Sequence, residues 1–173
     1  ALGDLAARWQ EDVIDLRPDV LSVFVGTNDA ERHLGRLLRA DDPKTVPDFD
    51  FADWERTYRG LLDQARQANP ALKIVLCTPF AAPCGKIVEG ALGEYYPLRQ
   101  RILAQCCVIV ERIAADYGAT LVPFHRLIAD LETRLPNGDA TYWVWDGIHP
   151  TPAGQRLMAD CWIGAAARNG VME

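Results

Sequence analysis

Strand-like apolar runs alternating with helical stripes predict an α/β protein, with a mostly parallel sheet between helices in one domain over residues 1–173. Two observations carry this. The run from Val20 to Val25 is nearly continuous in apolar residues, as in a strand buried on both faces of a parallel sheet. The order strand, helix, strand, helix, strand, helix is that of right-handed crossovers.

The elements follow in chain order. Leu5, Trp9, Val13, Ile14 and Leu16 form one helical stripe that ends before Arg17-Pro18. The first strand, Val20 to Val25, is closed by Gly26. Residues 30–52 read as a polar loop containing Asp41-Asp42-Pro43 and Pro47. A helix over about 53–68 carries Trp54, Tyr58, Leu61 and Leu62, and Asn69-Pro70 stops it. The second strand, 73–78, is closed by Pro79, and a Gly- and Pro-containing loop covers about 80–93. A long helix over about 95–117 ends at Gly118, its C-cap. Residues 119–122 give a third strand and 125–135 a helix. A turn at 136–139 leads to the aromatic stretch 142–145, and a last helix runs from after Pro152 to about 168.

Composition narrows the function classes. Apolar residues are 49% and charged residues 24%, an ordinary soluble mix, and a chain of 173 residues buries enough surface to need no staple. Lys and Arg total 18 against 24 Asp and Glu, for a net charge of −6, which argues against nucleic acid and anionic membranes as partners. No apolar run approaches a membrane span, and Asp4, Arg8 and Glu11 break the first apolar stretch, so no signal peptide is visible. A soluble, cytoplasmic protein is expected, unless a segment upstream of Ala1 carries a signal. Five cysteines without a CxxC pair give neither a disulfide framework nor a zinc site, and read as small buried hydrophobes. The odd count is serine: Ser22 stands alone.

Ligands of parallel α/β sheets sit beyond the C-terminal strand ends, which directs attention to Gly26–Asp29, to 79–84 and to the final loop. Gly26 lets the chain turn out of the sheet, and Asn28 then offers an amide donor for a developing oxyanion; a plain Gly/Asn/Asp turn is the alternative. Asp146-Gly147-Ile148-His149 places a carboxylate three residues before an imidazole, where it can fix the tautomer and leave Nε2 as a general base. An Asx turn with an incidental His149 is the alternative. His33 and His125 read as surface or packing residues, and Arg32, Arg36 and Arg39 as a solvated face. The three histidines lack metal-ligand spacing. Gly26–Asp29 has too few glycines for a flavin or nucleotide phosphate loop.

Gly26-Thr27-Asn28-Asp29 at a strand end, with Asp146-Gly147-Ile148-His149-Pro150-Thr151 opening the last helix, resembles the SGNH/GDSL hydrolase family. Asp4-Leu5, Arg8-Trp9, Leu16 to Val20, Tyr58 to Leu62 and Pro79-Phe80 extend the resemblance to its esterase and lysophospholipase-like members. The resemblance implies a three-layer α/β/α, flavodoxin-like sandwich and a serine ester hydrolase without cofactor or metal. It implies His149 as base, Asp146 as its orienting carboxylate, and Asn28 as oxyanion donor. Gly26 and Trp145 would contact a small ester substrate such as an acetylated sugar or a lysophospholipid.

The family's Gly-Asp-Ser block has no match. Gly3-Asp4-Leu5 opens a helix and has Leu in place of Ser, and Ser22 falls inside a strand, where it is expected to point into a packed layer. The second-block glycine is also unmatched. Two expectations follow: a serine-bearing segment upstream of Ala1 whose strand completes the sheet, or a non-catalytic relative that binds acyl or sugar ligands. A sheet lacking that strand should expose an apolar edge.

Overall fold

In the computed structural model, which describes residues 1–134 and 140–172, the three apolar runs pair as a parallel sheet. The strands are β1 (Val20–Phe24), β2 (Lys73–Cys77) and β3 (Thr120–Val122), in the order β1-β2-β3. Register aligns Val20 with Lys73 and Phe24 with Cys77, then Val75 with Thr120 and Cys77 with Val122. β2 is therefore the central strand, and its side chains alternate between two cores. Ile74 and Leu76 join Leu21 and Val23 against α1 (Leu2–Trp9), α2 (Thr27–Arg39), α3 (Phe51–Ala68) and α5 (Tyr96–Asp116). Val75 and Cys77 join Val122 against α6 (Phe124–Arg134) and α7 (Pro152–Arg168). The result is an α/β/α sandwich, as expected. Each such Val, Leu or Ile, fully buried, contributes roughly 1.5–3 kcal/mol.

The helix signals account for the ends of these elements. The Asp50 side chain accepts from Asp53 N–H at 2.8 Å and caps α3. Thr151 accepts from Gly154 N–H at 3.1 Å and Pro152 occupies the first turn, which starts α7. Gly118, at φ 58°, ends α5. The expected turn at 136–139 lies outside the described residues.

Four expectations are corrected. Residues 30–52 are not simply a polar loop: α2 reaches Arg39, because Ala30, His33, Leu34 and Leu37 make a buried stripe amid the charges. The 80–93 segment contains a 3₁₀ turn, Gly85–Val88, and a short helix α4, Gly90–Glu94. Leu16 is exposed, because α1 passes into a π-helical turn over Gln10–Ile14 and Arg17, at φ 47°, redirects the chain. β1 is buried on one face only.

That last difference has a simple cause. β1 is an edge strand, and α7 packs over β3 and β2 without fully covering the corresponding face of β1. Val20 is 37% and Phe24 46% exposed. Ser22 shares that face and is exposed rather than packed in a layer; it accepts a hydrogen bond from Trp162 Nε1–H at 3.0 Å. Among the described residues, the outer edge of β1 has no partner strand.

Candidate active site

Where β1 ends, Gly26 adopts φ 129° and caps α2, its carbonyl accepting from Asp29 and Ala30 N–H. A Cβ on Gly26 would lie 2.7 Å from Pro79 Cγ, so neither the conformation nor the space admits another residue. Thr27 Oγ1–H donates to the Phe80 carbonyl at 3.0 Å and ties the ends of β1 and β2 together. Asn28, in the first turn of α2, is exposed and makes no side-chain hydrogen bond to another described residue. The free N–H groups of a helix start favour negative charge there, in the same sense as the Asn28 amide. Asp29 turns the other way: its carboxylate accepts from Leu2 N–H at 2.9 and 3.1 Å and anchors α1, and burial pushes its pKa up.

The Asp146–His149 segment is a tight turn. Val144 and Pro150 form an antiparallel bridge at its base, and Thr151 N–H donates to the Trp143 carbonyl at 2.9 Å. Inside the turn, Asp146 Oδ1 accepts from Ile148 N–H at 3.1 Å and His149 N–H at 2.8 Å. Asp146 Oδ2 lies 2.7 Å from His149 Nδ1. An ionised carboxylate only accepts, so Nδ1 carries the proton and Nε2 is left as the basic nitrogen. Burial pushes the Asp146 carboxyl up, but the hydrogen bonds from the His149 ring and the two N–H groups, with the imidazole charge, outweigh it and hold it below the usual carboxylate range. The Asp146 side chain is 15% exposed and that of His149 is 62% exposed. A half-buried acceptor thus orients an open imidazole.

These two segments meet. Gly26, Asn28 and His149 line one cavity of about 350 Å³, together with Leu5, Arg8 and Phe24. Trp145 lies beside it, its ring stacked on that of His149 at 6.0 Å and 24°. Of the other sequence candidates, His33 is buried edge-on to Phe49 and His125 Nδ1 pairs with Thr78 Oγ1 at 2.8 Å, both away from this cavity. Arg32 is exposed and pairs with Asp4. Four cysteines are buried, and burial pushes the Cys77 and Cys107 thiols up to about 12 each, which leaves them protonated at neutral pH. Ser22 does not line the cavity.

Sequence reasoning missed the support under the turn. Ala82 N–H donates to the Gly147 carbonyl at 2.8 Å, and Cys84 Sγ–H to the Val144 carbonyl at 2.9 Å. Gly147 sits at φ 95°, where a Cβ would lie 2.4 Å from Ile87 Cδ1 and 2.7 Å from the Cys84 carbonyl oxygen. The signal available was the run of small residues from Ala81 to Gly85, which reads as an ordinary loop until its partner is known.

A parallel α/β/α sandwich thus carries an Asp–His pair and an Asn-bearing helix start beyond its strand ends, where ligands of such sheets bind. The chain belongs to the GDSL-like Lipase/Acylhydrolase family, which it matches over residues 1–157. It is 32% identical over 163 residues to an acetylxylan esterase of Geobacillus stearothermophilus, covering 92% of this chain and 64% of that protein. It is 29% identical over 167 residues to an acetylxylan esterase of Xylanibacter ruminicola, covering 92% of this chain and 30% of that one. The chain thus spans less than two thirds of the length of either relative. The crystal structure of Axe2, an acetylxylan esterase from Geobacillus stearothermophilus, superposes with a TM-score of 0.73 at 27% identity, over 95% of this chain and 67% of that one. Axe2 structures include catalytic mutants with alanine in place of a serine, an aspartate, or a histidine three positions after that aspartate.

Proposed function

We propose that the protein is a serine ester hydrolase acting on small acyl esters, with carbohydrate acetyl esters as the substrate class. The observation that carries this reading is the 2.7 Å pair between Asp146 Oδ2 and His149 Nδ1, with His149 lining the same cavity as Asn28. The three-residue spacing of Asp146 and His149 equals that of the aspartate and histidine replaced in the Axe2 catalytic mutants, and both curated relatives are acetylxylan esterases.

In this reading the nucleophilic serine is carried by a strand that pairs with the open edge of β1. The unpaired edge, the exposed Val20 and Phe24 beside it, and the engagement of Ser22 by Trp162 support that assignment. His149 Nε2 takes the serine proton as Oγ attacks the acyl carbon, and Asp146 stabilises the imidazolium. Asn28 donates to the tetrahedral oxyanion. His149 returns the proton to the departing alkoxide, then activates the water that releases the acid. Gly26 lets the chain pass close enough for these groups to converge, and Trp145 offers a ring face at the rim.

The test is Asn28→Ala in the full-length protein, assayed on p-nitrophenyl acetate and on acetylated xylo-oligosaccharides. Losing one oxyanion donor should lower turnover roughly 100- to 1,000-fold. Near-normal turnover by the variant would sink the assignment. An unmodified protein that binds these esters without turning them over would instead be a binding module on the hydrolase fold.

A further inference from the structure

Arg99, near the start of α5, is the largest fully buried side chain, and nothing in the proposed reaction uses it. A buried charge is tolerated only when paired and hydrogen-bonded, so its partners show what it is for. Arg99 Nε donates to Glu31 Oε1 at 2.5 Å and Nη2 to Glu31 Oε2 at 3.1 Å, a bidentate pair. Nη1 turns the other way and donates to the Ile87 carbonyl at 3.2 Å.

The two partners belong to the two halves of the site. Glu31 lies three residues after Asn28 on α2, one turn beyond the oxyanion donor. Ile87 belongs to the 3₁₀ turn that backs Gly147, its side chain filling the space a Cβ there would take. In the same segment a Cβ on Gly85 would lie 2.6 Å from Asp146 Cα, so this turn is pressed against the Asp–His loop along its length. The next residue on α5, Gln100, adds a second tie, its Nε2–H donating to the Ala81 carbonyl at 2.9 Å.

We infer that Arg99 is a positioning residue: one guanidinium holds the helix bearing Asn28 and the turn bearing His149 at a fixed separation, so that oxyanion donor and base converge on the same ester. The inference rests on the ester-hydrolase reading for its kinetic consequence, though the geometry stands without it. Lysine cannot substitute, because a single ammonium lacks the planar fork that spans a carboxylate and a carbonyl on opposite sides.

The experiment compares Arg99→Lys and Glu31→Gln, alone and combined with Asn28→Ala, in the full-length protein with p-nitrophenyl acetate as substrate. Active enzyme is counted by fluorophosphonate labelling. Misplacing a catalytic group by about 1 Å costs on the order of 100-fold, so Arg99→Lys should lower kcat roughly 10- to 100-fold per labelled site while KM hardly moves. Residues acting through one another are non-additive, so the same change in the Asn28→Ala background should cost less than about threefold. Equal losses in the two backgrounds, or a loss accounted for by fewer labelled sites, would overturn the inference. Glu31→Gln guards against a folding failure of the arginine variant, since it keeps the side-chain shape and weakens the same clamp.

Failure of the ester-hydrolase reading registers separately, as absent turnover and labelling in the unmodified protein. In that case the ¹⁵N shifts of the Asn28 amide and the His149 ring decide: displaced in both variants supports the clamp, and unmoved overturns it.

Discussion

Asn28 and His149 line the same cavity but rest on different kinds of support. Asn28 rides on the first turn of a 13-residue helix that carries a buried stripe and packs against α5. His149 stands on a turn with one bridge, a carboxylate accepting three hydrogen bonds, and a second loop pressed against it. The helix is held by apolar area spread over many residues. The turn is held by a few close contacts, each of which a single substitution can remove. The His149 side of the cavity is therefore the more fragile half.

The largest effect that would sharpen this contrast is Asp146→Asn. The amide presents the wrong partner to Nδ1–H or forces the other tautomer, and turnover should fall roughly 10³- to 10⁴-fold with little change in KM. The same carboxyl links the turn to pH. Its folded pKa lies below the unfolded value of 3.8, so its stabilisation is present above that value and is lost as pH falls through the lower, folded one. Thermal unfolding of the two proteins should thus differ at neutral pH and converge in acid. A difference that persists unchanged at pH 2 would contradict the assignment.

A smaller effect separates packing from chemistry. Gly147→Ala adds one methyl at φ 95° where Ile87 and the Cys84 carbonyl leave no room. Strain and overpacking together should cost on the order of 3 kcal/mol of stability, read as a drop in urea midpoint. An alanine variant as stable as the parent would mean that the turn is not pinned as described.

The legibility of the sequence divides along the same line. The parallel sheet was readable because its runs are short and apolar, and the Asp146–His149 pair because three residues of local spacing suffice to place it. Asn28 was readable as a strand-end residue, although α2 behind it was hidden: the stripe of Ala30, His33, Leu34 and Leu37 is interleaved with arginines and Gly35 and reads as a polar loop. The reading of β1 as a strand covered on both faces failed for a non-local reason. Its pattern suits such a strand, yet it lies at an edge where α7 leaves Val20, Ser22 and Phe24 uncovered. Nor does spacing reveal that Arg99 joins Glu31 to Ile87, since those residues are brought together only by the packing of α2 and α5.

The most direct test of the central claim, that Asp146, His149 and Asn28 serve a serine nucleophile, is to map the fluorophosphonate adduct on the full-length protein by peptide mass. One adduct is expected, on a serine other than Ser22, that disappears in His149→Ala and survives Ser22→Ala. An adduct on Ser22, or none in a folded unmodified protein, would contradict it.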